Sequence, residues 1–334
     1  MATLPDAAAF PDLIAKYGKK GEPAPRPTPE QLEKHRAYRA QFAHERVTEV
    51  EIAGRRYRIE SPSPNFFFDR LRNDRPFAFA RLPHGFWDAL VMRDQIAAEP
   101  QLASVPLAER RLLACRIGRL AKPFHGGFVE GFDAEMAALI PEHRNNPDFL
   151  KSVAFKGFPT PDEDLFDPGT SPQDRAERLA LLAQTFAPYE RLFDAIVWKR
   201  YAYSGDLERL AALCHDRHVV LLARDYFGDL KMRWKLSRFT HITIERQLSQ
   251  LIRHVLFDKL QSALSGIVKE PGARPVVLMQ CGGSLAYWLI AKLFAWNPAV
   301  FYVDLGQALN IWFMDLKDTH GQAWTRFYEP APRK

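Results

Sequence analysis

Cysteine is scarce. Cys115, Cys214 and Cys281 are the three in a chain of 334 residues. Thiols so widely spaced build neither a disulfide framework nor a zinc-ligand pattern, and a reducing compartment suits them. Long apolar runs are missing too: none reaches the roughly 18 to 20 residues that a membrane helix needs. The first ten residues have no basic region, and Asp6 and Pro11 interrupt any secretory signal. A cytoplasmic chain is therefore expected. Nor is there an internal repeat beyond an alternation of strand-like and helix-like segments.

What is present is a hydrophobic share of 47%, enough for a sizeable core in one large α/β domain or two modest ones. The net charge is +6. A basic balance suits an anionic ligand, attachment at the periphery of an anionic membrane, or nucleic acid. It also serves plain solubility, because the charge is spread along the chain. Arg110, Arg111, Arg116 and Arg119 share one helical stretch, but no known nucleic-acid-binding motif accompanies them. No nucleic-acid partner is expected.

Residues 1–45 read as an arm. Proline and lysine between Gly18 and Pro29 make a linker, and Thr28-Pro29-Glu30 opens a polar helix. Residues 46–330 read as a single α/β domain. Alternation on either side of Ala53-Gly54 predicts a β-hairpin over Val47–Glu60. Strands are predicted at Pro76–Leu82, Val219–Ala223, His241–Ile244, Val276–Gln280 and Val300–Asp304. Helices are predicted at Leu207–His215, Glu245–Ser265 and Ser284–Phe294. Pro172–Ala195 reads as an amphipathic helix kinked or split at Pro188, with Leu179, Leu182, Phe186, Leu192 and Phe193 near helical spacing. It could offer a homodimer face. Asn145–Ser171, rich in proline, aspartate and phenylalanine, reads as an irregular insertion, either a lid or surface decoration. The rhythm as a whole implies a Rossmann-like, mostly parallel sheet flanked by helices.

One turn stands out chemically. An apolar strand from Pro275 ends in Gln280-Cys281-Gly282-Gly283-Ser284, and a helix starts at once. Unpaired N–H groups at a helix start favour anions, and glycines let a diphosphate approach the backbone. Ser284 could cap the helix or donate its hydroxyl. The same sequence also makes a tight strand-to-helix turn with no ligand. The next strand closes in Asp304-Leu305-Gly306-Gln307. Asp304 could meet a ribose or sugar hydroxyl, or cap the next helix. Gly306 permits a second close turn. Arg81 ends its strand toward the same crevice, as an anion partner or one half of a structural ion pair. Lys231, Arg233, Lys235 and Arg238 surround Trp234; they could grip phosphate and stack a base, or form a solvated loop.

These features resemble the GT-D-fold glycosyltransferases, which use nucleotide sugars. The resemblance lies in the Gly-Gly turn, the Leu-Ala in the following helix and the Val-Asp-Leu-Gly strand end. It lies also in Phe79-Ala80-Arg81-Leu82-Pro83-His84-Gly85-Phe86, where Arg81 and Gly85 coincide with the family's strand-end motif. It spans Pro64 to Trp312, with insertions. It implies a nucleotide-diphosphate sugar as donor and a hydroxyl on a glycan, lipid-linked or protein acceptor. Donor contacts would come from Gly282, Gly283, Ser284, Gly306, His84 and Gly85, catalytic ones from Arg81, Asp304 and Asp88. The family's acidic Asp-x-Glu pair falls on His84 and Phe86, and phenylalanine cannot bind a divalent cation. No metal ligand is assigned, and a manganese or magnesium ion held by other carboxylates stays open. Asp133-Ala134-Glu135 is a second Asp-x-Glu, but it reads as exposed charge at a helix start. Without metal, Arg, Lys, His and helix dipoles would stabilise the leaving group. The alternative is a non-catalytic nucleotide-sugar-binding or scaffolding protein, and a second alternative is a nucleic-acid-binding protein.

Overall fold

Short β-branched and aromatic runs set the strands, and their neighbours in space come from far along the chain. The computed structural model describes residues 45–52, 54–83, 86–87, 100, 132–144, 146–154, 172–244, 250, 252–282 and 284–309. The strands are β1 (Arg46–Ile52), β2 (Arg55–Ser61), β3 (Ala78–Leu82), β4 (Phe149–Val153) and β5 (Arg191–Asp194). They continue with β6 (His218–Ala223), β7 (Arg238–Thr243), β8 (Pro275–Met279) and β9 (Phe301–Asp304). They form one nine-stranded sheet in the order β1-β2-β5-β4-β3-β9-β8-β6-β7. Among the described strands β1 alone runs antiparallel to its neighbour. The chain is an α/β protein with a mostly parallel sheet flanked by helices.

Alternating side chains feed two cores, as the period of two in a strand requires. One face carries α2 (Phe132–Glu142), α3 (Pro172–Thr185), α7 (Arg253–Ile267) and α8 (Leu285–Trp296). The other carries α1 (Pro64–Arg72), α4 (Val197–Ser204), α5 (Leu207–Cys214) and α6 (Leu230–Arg233), the last preceded by a 3-10 turn at Asp225–Asp229. In β6, Val220 and Leu222 join the first core, while Val219 and Leu221 join the second. Helix α8 is apolar on nearly every side, with Leu285 through Ala291 all buried, because it lies between the sheet and α2 and α7.

Two segments differ from their sequence reading. Phe149–Val153, placed in an irregular insertion, is a fully buried strand between β3 and β5. Its Lys151 hides the apolar pattern. That ammonium donates to Glu190 Oε1 at 2.6 Å and to the Ile140 carbonyl at 2.5 Å, which is how a charge survives inside the core. The helix expected over Pro172–Ala195 ends at Thr185, and Arg191–Asp194 is strand β5. The break falls at the turn containing Pro188. Leu182, Phe186, Leu192 and Phe193 are buried and Leu179 packs against the core, so these apolar side chains serve the chain's own interior. The rest of the expected insertion, 155–171, and the N-terminal arm lie outside the described residues. Among those described, no helix is long and apolar enough to cross a membrane.

Candidate functional site

In a parallel sheet the carboxyl ends of all strands share one edge, and ligands settle where neighbouring strands send their chains to opposite faces. The seam between β3 and β9 is such a place. After β3 the chain turns to the α8 face, where Phe86 and Trp87 are buried. After β9 it turns to the α1 face, where Ala308 and Leu309 are buried. Residues far apart in sequence meet here, with Phe79 paired to Val303.

The structure brings Arg81, Asp304 and Gly306 together at that seam. Arg81 Nη1 lies 3.6 Å from Asp304 Oδ1, with the arginine 14% and the aspartate 3% exposed at the side chain. Arg81 Nε–H donates to the carbonyl of Ala195 at 2.5 Å. The N–H of Gly306 donates to Asp304 Oδ1 at 2.8 Å. Gly306 has φ +59°, and a Cβ there would fall 1.6 Å from Arg81 Nη1. The missing side chain thus makes room for the guanidinium, a tighter demand than the turn alone imposes. Of the two readings of Arg81, the ion pair is the one this geometry builds.

Strand β8 supplies the adjoining wall. Met279 pairs with Asp304 across β8 and β9. The Gln280 side-chain carbonyl accepts the N–H of Leu309 at 2.9 Å, which fixes the path after β9. Gly282 is exposed with φ +71°. Ser284 is buried at the start of α8 and makes no capping hydrogen bond through its side chain, so that expected role is not taken up. Burial pushes the Cys281 thiol well above its ordinary range, and the Asp304 carboxylate adds to this, so the thiol stays protonated. Burial also raises Asp304, with Arg81 and the Gly306 N–H partly offsetting it. His84, Gly85, Asp88 and Gly283 lie outside the described residues.

One group escaped the sequence reading, and two more sit differently from what it expected. Asp194, at the end of β5, is buried; it accepts from Ser61 Oγ at 2.8 Å and from the Ile196 N–H at 3.0 Å, and it pairs with Arg200. These contacts fix the turn whose Ala195 carbonyl holds Arg81. The signal was the acid closing an apolar strand, lost when the segment was read as helix. Glu135 is the second group. It is not a free helix-start charge: Arg253 donates to it through Nε at 3.0 Å and through Nη2, and Trp288 Nε1 donates at 2.7 Å. Burial alone would raise this carboxyl, but the bonds from Arg253 and Trp288 outweigh it and lower it. Trp234 is the third. It is 5% exposed within the α1-face core and cannot stack a base, while Arg238 pairs with Glu270 at 3.4 Å. The base-stacking part of that reading is excluded by this burial.

Among the described residues no cluster of three or more His, Cys, Asp or Glu could hold a metal ion. Phe86, at the second position of the resembled acidic pair, packs its ring 5.2 Å from Trp87 in the core. No family model, curated protein or solved structure matches this chain.

Proposed function

We propose that the chain binds a nucleotide-diphosphate sugar at the carboxyl ends of β3, β8 and β9 and transfers the sugar to a hydroxyl acceptor. The observation that carries this is the Arg81 guanidinium, held against Gly306 by Asp304 and Ala195 at a seam where adjacent chains part. A guanidinium fixed before the ligand arrives can offset charge developing on a departing diphosphate without reorganising. Asp304, whose proton affinity burial raises, is the base within the described site for the acceptor hydroxyl. The step from binding to transfer rests on the GT-D resemblance.

The buried Phe86 favours a second reading, a protein that binds the donor without turning it over, because no carboxylate stands at that position. Calorimetry with uridine diphosphate and with the other nucleoside diphosphates tests the binding. Arg81→Ala should weaken it by about 1.5–3 kcal/mol, the range for a hydrogen bond to a charged group. Unchanged affinity in a folded variant removes the site assignment. Donor hydrolysis followed with manganese and with EDTA separates transfer from binding. Tight donor binding with no turnover under either condition selects the second reading.

A further inference from the structure

We propose that the edge of the sheet at β7, together with the exposed stripe of α7, is where a second copy of this chain pairs with the first. β7 is the last strand of the sheet, and among the described residues it has a partner, β6, on one side only. Its sequence, Arg-Phe-Thr-His-Ile-Thr, is β-prone and half-exposed along most of its length. It contains neither proline nor lysine, two residues that commonly blunt an edge, and its one full charge, Arg238, stands at its start. An open groove of about 710 Å³ runs beside it, lined by His241, Ile242, Val255, Asp258, Lys259 and Ser262 among others.

Helix α7 has two stripes. Leu256, Leu260, Leu264 and Ile267 are buried against the sheet. Val255, Asp258, Lys259 and Ser262 line the groove instead, and Val255 is 49% exposed. That second stripe is self-complementary in charge, which selects a second copy as the occupant. In an antiparallel pair of α7 helices about a twofold axis, Asp258 of one copy falls opposite Lys259 of the other. Symmetry makes that contact twice, and Val255 then faces Ser262. The same axis, perpendicular to the sheet, sets β7 antiparallel to its mate and leaves every side chain on its own face. Phe239 and His241 stay on the α1 face, and Thr240 and Ile242 stay beside α7. The two sheets would become one.

Sedimentation equilibrium of the full chain tests this. The wild type should sediment as a dimer. Asp258→Lys replaces two attractive contacts with two repulsive ones and should weaken the dimer about tenfold or more. The double variant Asp258→Lys with Lys259→Asp restores the complementarity and should recover the affinity. Thr240→Pro should also weaken the dimer by disturbing the edge strand. The Asp258 and Lys259 pair is exposed, so its variants report on association even if the proline variant fails to fold. A monomeric wild type, or a dimer indifferent to Asp258→Lys, overturns the proposal, as does a double variant that fails to recover.

Discussion

At Gly306 one added carbon would strike Arg81 and strain a backbone already at positive φ. Gly306→Ala should therefore cost about 1–3 kcal/mol in urea unfolding. If the proposed site is right, nucleoside diphosphate affinity falls with it, since the guanidinium must move. Asp304 makes a second test, with a definite sign. Its folded-state proton affinity is raised, so its contribution to stability is largest while it is protonated. That contribution declines as pH climbs from the ordinary carboxylate range through the raised value. Asp304→Asn deletes this decline. Urea unfolding of both proteins across that range should show the variant gaining on the wild type as pH rises. A gap that moves the other way would mean that Arg81 outweighs burial.

Element by element, legibility followed locality. β8 and β9 could be read because each is an apolar run buried from end to end, closed by a glycine turn. β4 could not, because Lys151 sits in its middle and its answering carboxylate, Glu190, is distant in sequence. β5 was hidden by its shortness and by Leu192 and Phe193, which continue the helical spacing of α3. At the site the same rule applies. Asp304 and Gly306 announced themselves as a strand end, and Arg81 as another. Nothing local could show that the three touch, or that Ala195 would complete them. The β4 pairing is open to measurement. Lys151→Met strands Glu190 without its nearest cation, although Arg144 remains at 3.1 Å, and should cost about 3–5 kcal/mol in chemical denaturation. Adding Glu190→Gln should recover part of that loss. A double variant no more stable than the single one would show that packing around Lys151, rather than charge, sets the cost.

For the molecule as a whole, protection should run from the middle of the sheet outward. β3, β9 and β8 are flanked on both sides and nearly wholly buried, whereas β1 and β7 stand at the margins. At concentrations where the chain is monomeric, amide exchange should be slowest in those three central strands and fastest in the two outer ones. A β7 as slow as β8 in dilute protein would contradict this gradient. The central position of β9 has a consequence for synthesis. The two strands it separates, β3 and β8, are both made before it. As the chain leaves the ribosome, two half-sheets must wait with bare inner edges for the last described strand to slide between them. Arg81 meets Asp304 only at that closing step. Until then the nascent chain exposes the buried inner edges of β3 and β8, the kind of surface chaperones hold, and the Arg81–Asp304 pair does not yet exist.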